Sequence, residues 1–217
     1  NNNNIPNGNH VACFDIGVGA SAIYPIIGIT EYGWKFIASD IDLKSINAAK
    51  NIINVNNPLH NKVSFRHQIN PRKIFEGIVD VDEKIDITIC NPPFHTSVEE
   101  ALKGTKRKIT NLTGKTEINP TLNFAGIHNE LVCEGGEYKF ITNMIYESKK
   151  ISKNCYWFTS LVSKESNLKR IYKLLNKIET VQFKTISMGT SNKSSRIVAW
   201  TFLTEEEQKK WIETRWR

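Results

Sequence analysis

The segment "VACFDIGVGASA" (11–22) sets the architecture of this chain, because it places a strand, a tight turn and a helix start in direct succession. Its first part, "VACFDIG" (11–17), is apolar and predicts a buried strand. Gly17 and Gly19 have no Cβ atom, so they permit a tight turn and let a ligand approach the backbone closely. The spacing also fits G-x-G-x-x-A, so a site for nicotinamide adenine dinucleotide (NAD) is an open alternative.

Strands and helices alternate along the rest of the chain. Hydrophobic periodicity predicts further strands at 34–40, 62–68, 84–90 and 155–162, and helices at 21–33, 43–56, 139–151 and 167–178. Two closing strands, 181–187 and 196–203, follow with only the polar turn "MGTSNKSS" between them. This order predicts an α/β fold with a seven-stranded, mostly parallel sheet and an antiparallel hairpin at one edge.

Length and composition are typical of one well-buried domain. The chain has 217 residues, of which 40% are hydrophobic. We expect the domain to span 11–204, with a polar tail at 1–10 and a tail or short helix at 205–217. No segment has the roughly 20 apolar residues that cross a bilayer, and the first residues lack the pattern of a signal peptide. We therefore expect a soluble, cytoplasmic monomer with no membrane partner.

The charged residues and cysteines limit the possible ligands. Four scattered cysteines show neither metal-ligand spacing nor a disulfide framework, so we expect no metal site. The formal net charge of +7 suggests an anionic partner. Part of this charge lies in a long segment without assigned structure, 103–130, which we expect to be a functional loop. Its basic residues are Lys103, Lys106, Arg107, Lys108 and Lys115.

Asp15 distinguishes between two possible cofactors. It lies just before the first glycine of the turn, where an NAD site usually has an apolar residue that leaves room for pyrophosphate. A carboxylate at this point repels phosphate and favours a cationic ligand. S-adenosylmethionine carries a sulfonium and an ammonium group, so D-x-G-x-G favours this cofactor over NAD.

Polar residues also follow the second and third strands. Asp40 lies 23 residues after the first glycine and could accept hydrogen bonds from both ribose hydroxyls of a nucleoside. The alternative is that Asp40 and Asp42 cap the next helix. Gln68 and Asn70 follow the third strand, where the edge of an adenine would be read. Ordinary loop polarity is their alternative explanation.

The sequence "NPPF" (91–94) follows the fourth strand, so it shares an edge of the sheet with the glycine turn. An exocyclic amine on an aromatic base is a poor nucleophile because its lone pair is delocalised. The Asn91 side-chain carbonyl and the Pro92 backbone carbonyl can accept both amine hydrogens, while Pro92 and Pro93 keep the loop rigid. Phe94 would stack on the base, which requires a single-stranded, looped or flipped adenine.

Several segments together resemble a known family, the bacterial 23S ribosomal RNA adenine-N(6) methyltransferases and their eukaryotic relatives that act on spliceosomal and messenger RNA. The resemblance covers about 11–203. It rests, in order, on "DIGVGASAIYPIIGITEYGWKFIASDID", "CNPPFH", "LNFAGIHNELVCEGGE", "WFTSLVS" and "RIVAWTF". The family additionally has an N-terminal segment with basic residues, whereas this chain begins with four asparagines.

The resemblance implies a class I, Rossmann-like methyltransferase fold that uses S-adenosylmethionine. Gly17, Asp40 and Asn91 match family positions for the cofactor and the target base. The segment "KGTKRK" (103–108) matches a basic loop that would face RNA phosphates. The implied reaction is methylation of an adenine N6 in large-subunit ribosomal RNA. Several alternatives stay open: another RNA, DNA or an amine on a protein as substrate, an NAD-binding oxidoreductase, and a non-catalytic RNA-binding module.

Overall fold

The computed structural model describes residues 5–93, 133–190 and 193–216. Within these ranges the chain forms strands, helices and a short 3-10 turn at Asn57–Leu59. The strands are β1 (Ala12–Ile16), β2 (Lys35–Asp40), β3 (Val63–His67), β4 (Ile85–Cys90), β5 (Cys155–Val162), β6 (Gln182–Thr190) and β7 (Lys193–Thr201). The helices are α1 (Ile23–Tyr32), α2 (Leu43–Val55), α3 (Gly136–Lys150), α4 (Glu165–Lys177) and α5 (Glu205–Arg215).

The strands described here form one seven-stranded sheet with the order β3-β2-β1-β4-β5-β7-β6. β7 runs antiparallel to both of its neighbours, and the other pairs are parallel. The predicted fold class is therefore confirmed, including the antiparallel edge hairpin. The strand order reverses between β1 and β4, where Ile16 pairs with Cys90. The loops that follow these two strands consequently meet at one edge, where open α/β sheets bind ligands.

Apolar side chains cover both faces of the sheet. On one face, α3 and α4 pack against a cluster that includes Phe158 and Trp200, both fully buried, with stacked rings 5.8 Å apart. On the other face, α1 packs closely against β2. A Cβ atom on Gly28 would lie 2.5 Å from the Phe36 ring, so this helix position requires glycine. The near-continuous apolar strands are thus explained by burial on both sides.

The predicted boundaries differ most from the structure at the start of α3 and in the last hairpin. Helix α3 begins at Gly136, three residues before the predicted start, and follows Gly135 in a left-handed conformation (φ 80°). The predicted turn at 188–195 is too long, because β6 continues to Thr190 and β7 begins at Lys193. The polar residues on both sides pair with each other across the hairpin, and this pairing outweighs their turn propensity.

The segments outside the predicted domain limits pack against the sheet in the described residues. Pro6 accepts a hydrogen bond from Trp34 Nε1 (2.7 Å), so residues of the predicted N-terminal tail lie beside the turn after α1. Helix α5 begins with a capping box, in which Thr204 and Glu207 bond reciprocally. The predicted tail or short helix is therefore a helix, while the domain limits stay predictions. No helix in the described ranges is long and apolar enough to cross a membrane.

Asp86 fixes α5 to the amino-terminal end of the sheet. Its Oδ1 atom accepts from Trp211 Nε1 (2.7 Å), Arg215 Nε (3.0 Å) and Trp216 Nε1 (2.8 Å). Its Oδ2 atom accepts from the Ala12 backbone N–H (2.7 Å) and from a second Arg215 nitrogen (2.8 Å). Asp86 is 2% exposed, and these donors replace the water that burial removes.

Candidate active site

A cleft of about 1270 Å³ lies at the carboxyl-terminal edge of the sheet. Its walls include the glycine turn after β1, the end of β2, the loop after β3, the start of the loop after β4, and one side of α3. The predicted site residues that line it are Gly17, Gly19, Asp40, Gln68, Asn91, Pro92 and Pro93. The topology therefore brings together residues that are up to 76 positions apart in the sequence.

The glycine turn leaves room for a ligand. Gly17 and Gly19 have positive φ angles of 75° and 62°, which side chains other than glycine rarely adopt. The backbone N–H groups of Gly17 and Val18 both donate to the Ser39 carbonyl (2.9 Å), which fixes the turn against β2. A Cβ atom on Gly17 would meet no atom within 4 Å, so open space borders the backbone there.

Asp40 connects the glycine turn to β2. Its Oδ2 atom accepts from the Gly19 N–H and its Oδ1 atom from the Asp42 N–H, both at 2.9 Å. Each carboxylate oxygen can accept a further hydrogen bond, so a ribose diol could still bind. Asp42, by contrast, caps α2 by accepting from the Lys44 and Ser45 N–H groups. A hydrogen bond from the Ser45 hydroxyl lowers the pKa of Asp42. Helix capping, the alternative explanation for both aspartates, therefore applies to Asp42.

Asp15 is a buried carboxylate beneath this turn. It is 1% exposed, and neither of its oxygens has a hydrogen-bond partner among the described residues. Burial raises the pKa of Asp15 to about 8, and the negative charge of Asp40 contributes to the increase. Asp15 does not itself line the cleft, whose wall at this point is Ile16 and Gly17. With this pKa the side chain is mostly protonated at neutral pH, and a cationic ligand above it would favour its ionised form.

Tyr24 is a cleft residue that the sequence reasoning missed. It lies in the first turn of α1, lines the cleft and is half-buried. Burial raises the pKa of Tyr24, and the charge of Asp15 raises it further. An aromatic residue soon after a glycine turn was the available signal. The first turn of α1 also lacks a side-chain cap, which leaves N–H groups that could bind an anionic group of a ligand.

Gln68 and Asn70 occupy different places. Gln68 lines the cleft and is buried, with Nε2 donating to the Glu76 carbonyl and Oε1 accepting from the Asn70 N–H, both at 3.0 Å. The Asn70 side chain is exposed and accepts from the Arg72 N–H at 3.0 Å. It is not among the residues that line the cleft. Loop polarity thus accounts for Asn70, and its role in cofactor binding stays a prediction.

Asn91 and the two prolines lie directly after β4 and line the cleft beside the glycine turn, because Cys90 pairs with Ile16. Asn91 is exposed, whereas Pro92 is buried, so the backbone is anchored while the amide side chain is accessible. Two threonines fix the strands behind this loop. Thr159 N–H donates to Thr88 Oγ1 (2.9 Å), and Thr159 Oγ1 donates to the Thr88 carbonyl (2.6 Å). Phe94 and the predicted basic loop at 103–130 lie outside the described residues.

Glu147 on α3 binds the loop after β3, and this loop forms part of the cleft wall. Its Oε2 atom accepts from the backbone N–H groups of Ile74 (3.0 Å), Phe75 (3.0 Å) and Glu76 (3.3 Å). Glu147 is buried and itself lines the cleft. This carboxylate stabilises the loop that begins with Gln68. In the sequence it is one acid on an amphipathic helix, which usually indicates a solvent-exposed position.

Glu137 joins two of the motifs that carry the family resemblance. It lies in the first turn of α3 and is 1% exposed. Its carboxylate accepts from the Ser163 N–H (2.6 Å), the Lys164 N–H (3.2 Å) and Asn167 Nδ2 (2.7 Å) at the start of α4. The segments "CEGGE" and "FTSLVS" are therefore parts of one hydrogen-bonded unit. In the described ranges, no group of three or more His, Cys, Asp or Glu side chains is arranged to hold a metal.

Comparison with known proteins gives consistent results. The profile of an RNA methyltransferase family matches residues 1–204. Ribosomal RNA large subunit methyltransferase F of Cytophaga hutchinsonii is 50% identical over 216 residues, which are 100% of this chain and 67% of that protein. The protein of the same name from Yersinia enterocolitica is 50% identical over 98% of this chain and 64% of its own length. The chain thus spans about two thirds of these relatives.

Solved structures resemble this chain in fold. The catalytic domain of human METTL16 in complex with MAT2A 3′UTR hairpin 1 superimposes with a TM-score of 0.70 at 24% identity, over 90% of this chain and 65% of that one. The N-terminal domain of human METTL16 in complex with SAH gives a TM-score of 0.67 at 23% identity, over 89% and 62%. The predicted class I methyltransferase fold and the predicted resemblance are confirmed, and this chain belongs to the RNA methyltransferase family.

Proposed function

We propose that this chain is a methyltransferase that transfers a methyl group from S-adenosylmethionine to the N6 amine of an adenine in large-subunit ribosomal RNA. The observation that carries the proposal is the position of Asn91, Pro92 and Pro93 in the same cleft as the glycine turn and Asp40. The names of the bacterial relatives support the substrate class. The proposed enzyme is a cytoplasmic monomer, because bacterial ribosomal RNA is in that compartment and the described walls of the cleft all come from one chain.

The residues of the cleft fit the proposed cofactor. When bound, S-adenosylmethionine supplies an activated methyl group on a positively charged sulfur. The open space beside Gly17 allows the ligand to contact the backbone, and Asp40 can accept from the ribose hydroxyls. Gln68 lines the part of the cleft where the adenine of the cofactor would lie. Asp15 has no hydrogen-bond partner in the described residues, and its pKa is raised, so cationic groups bound above it would favour its ionised form and be attracted by it. NAD, with its anionic pyrophosphate, fits this arrangement less well.

The loop after β4 performs the chemical role in the proposal. The side-chain carbonyl of Asn91 and the backbone carbonyl of Pro92 accept the two hydrogens of the target amine. This draws the nitrogen toward tetrahedral geometry, so that its lone pair can attack the methyl carbon as the carbon–sulfur bond breaks. The amine then loses one proton to solvent. Because the prolines hold both acceptors in place, little ordering is left to the reaction.

Two further parts of the proposal concern the RNA. Phe94 follows Pro93 and would stack on the target base, which must be unpaired or flipped to reach the cleft. The basic residues Lys103, Lys106, Arg107, Lys108 and Lys115 would contact RNA phosphates. If they do, replacing them with neutral residues lowers the salt dependence of RNA binding and leaves cofactor affinity unchanged.

The decisive experiment is transfer of labelled methyl groups to large-subunit ribosomal RNA, with mass-spectrometric mapping of the methylated adenosine. Asn91→Ala should lower the transfer rate by about 100- to 1000-fold, the usual effect of removing one positioned group that stabilises a transition state. Binding of S-adenosylhomocysteine, measured by calorimetry, should change little. Asn51→Ala, on the exposed side of α2, is the matched control and should retain full activity.

Three outcomes would contradict the proposal. Equal methyl transfer by the wild type and Asn91→Ala would remove Asn91 from the reaction. Methylation of a deoxyribo-oligonucleotide in preference to the ribo-oligonucleotide of the same sequence would replace RNA by DNA as substrate. Tight binding of NAD without binding of S-adenosylhomocysteine would exclude the methyltransferase reaction itself.

A further inference from the structure

The outer face of α4 carries a row of positive charge outside the cleft. Lys169, Arg170, Lys173 and Lys177 are exposed on this helix. None of the three lysines has an ion pair in the described part of the chain. The acid at the start of the helix, Glu165, pairs instead with a β7 side chain. We call these four basic residues the α4 track.

The α4 track continues from the cleft. Lys139, in the first turns of α3, lines the cleft and is held against Gly135, where an added Cβ would lie 2.7 Å from the Lys139 Cβ. The neighbouring Tyr138 ring carries the Arg170 guanidinium at 3.6 Å from its centroid. This cation–π contact holds Arg170 against the first turn of α3, where the next residue lines the cleft. Lys173 and Lys177 follow about one and two turns further along α4.

The spacing of the lysines suits a nucleic-acid strand. Lys169, Lys173 and Lys177 recur every four residues, so they span about 12 Å along the helix axis. One strand of a duplex advances about 3.4 Å per phosphate, so this length covers three to four phosphates. The apolar residues of α4, such as Ile171 and Leu175, are fully buried. The outer face therefore offers charge without the apolar side chains that anchor a helix in a membrane surface.

We propose that the α4 track binds the phosphate backbone of the substrate RNA where it leaves the cleft, several nucleotides from the target adenine. This inference rests on the proposed function, because it assumes that the cleft binds the adenine. It adds an RNA contact made by residues other than those of the segment 103–130. The α4 track lowers the dissociation constant of long substrates and has no part in methyl transfer.

The test compares two triple variants that remove the same charge. K169Q/K173Q/K177Q neutralises the lysines of the α4 track, and K35Q/K50Q/K209Q neutralises exposed lysines on β2, α2 and α5. Binding to a fragment of large-subunit ribosomal RNA is measured between 50 and 200 mM salt. With about 0.7 counterions released per contact, the first variant should lose about 2 units of the salt slope. The wild type should then lose about 20-fold more affinity than this variant over that range.

Kinetics provide a second readout that a purely structural role would not change. In the first variant, the KM for a long RNA should rise while kcat and the KM for a short oligonucleotide stay at wild-type values. The control variant should match the wild type throughout. If the two variants have equal salt slopes, the proposal that the α4 track binds RNA is wrong. If the wild type methylates no RNA, the proposed function fails, but the salt slopes still decide whether the α4 track binds RNA.

Discussion

Asp15 and Asp86 lie on neighbouring strands of the same sheet and are buried to the same degree, yet their surroundings are opposite. Asp86, on β4, accepts hydrogen bonds from five donor atoms and forms an ion pair with Arg215. Asp15, on β1, has no hydrogen-bond partner within the described ranges. Asp86 lies at the amino-terminal end of the sheet, whereas Asp15 lies at the carboxyl-terminal end, beside the cleft.

The presence or absence of donors distinguishes a buried charge that stabilises the fold from one that serves function. A buried carboxylate with a full set of donors stabilises the fold around it, and its loss leaves those donors unpaired. A buried carboxylate without donors destabilises the fold, and this cost is offset only when a ligand supplies the missing interaction. We therefore expect substitutions at Asp86 to change stability and substitutions at Asp15 to change ligand binding.

The largest effect is expected for Asp86→Ala. It leaves a guanidinium and two indole N–H groups without their acceptor, so the free energy of unfolding should fall by about 3–5 kcal/mol, as for other broken buried ion pairs. Urea unfolding monitored by tryptophan fluorescence measures this change. Asp82→Ala, at an exposed position on the preceding loop, is the matched control. If the free energy of unfolding falls by less than about 1 kcal/mol, Asp86 contributes no more to stability than an ordinary surface carboxylate. The contrast with Asp15 would then not hold.

A smaller effect of opposite sign is expected for Asp15→Asn. The pKa of Asp15 is about 8 in the folded chain and near 3.8 in an unfolded one, so the folded state retains a proton between these values. The stability of the wild type therefore decreases as the pH rises through this window. Because asparagine does not titrate, Asp15→Asn removes this pH dependence. The variant should therefore gain stability relative to the wild type between pH 5 and pH 7.

Urea unfolding of both proteins at several pH values measures this difference, and Asp82→Asn is the control. Ligand binding should change in the opposite direction. The wild type should bind S-adenosylmethionine more tightly as the pH rises from 6 to 8 and the pKa of Asp15 is approached, whereas the variant should bind weakly at every pH. If the free energies of unfolding of the wild type and Asp15→Asn depend on pH in the same way, a hydrogen-bond donor must stabilise the ionised form of Asp15.

The smallest effect concerns the helix that supplies most donors of Asp86. Thr204→Ala removes the capping box of α5 and should lower the free energy of unfolding by about 1 kcal/mol. Combined with Asp86→Ala, it should cost less than the sum of the two single changes, because α5 has then already lost its anchor. A double-mutant cycle in urea measures the coupling. Strict additivity would mean that α5 and Asp86 act independently.

Much of the fold could be predicted because its signals are local. Hydrophobic periodicity indicated every described strand, and the lack of a helix between the last two indicated the antiparallel hairpin. The anchoring of α5 could not be predicted, since Trp211 and Trp216 lie 125 and 130 residues from Asp86. In the sequence, Asp86 is only an acid within an apolar strand. No spacing rule connects it to indole donors so far along the chain.

The candidate site shows the same limit. Gly17, Asp40, Gln68 and Asn91 were found because each follows a strand, and parallel topology brings strand ends together. Glu137 and Glu147 were missed as supports of the site, because their partners lie 26 to 73 residues away and include several backbone N–H groups. Backbone donors carry no sequence signal.

The donor set of Asp86 also has a consequence for the order of folding. Three of its five donor atoms belong to α5 and a fourth to Trp216, directly after this helix. Helix α5 in turn follows β7, the strand that joins the last hairpin to β5. The Asp86 carboxylate must therefore stay hydrated until the hairpin has joined the sheet. Dehydration of this one group belongs to the late stages of folding, and its rehydration, with release of α5, is the expected first step of unfolding.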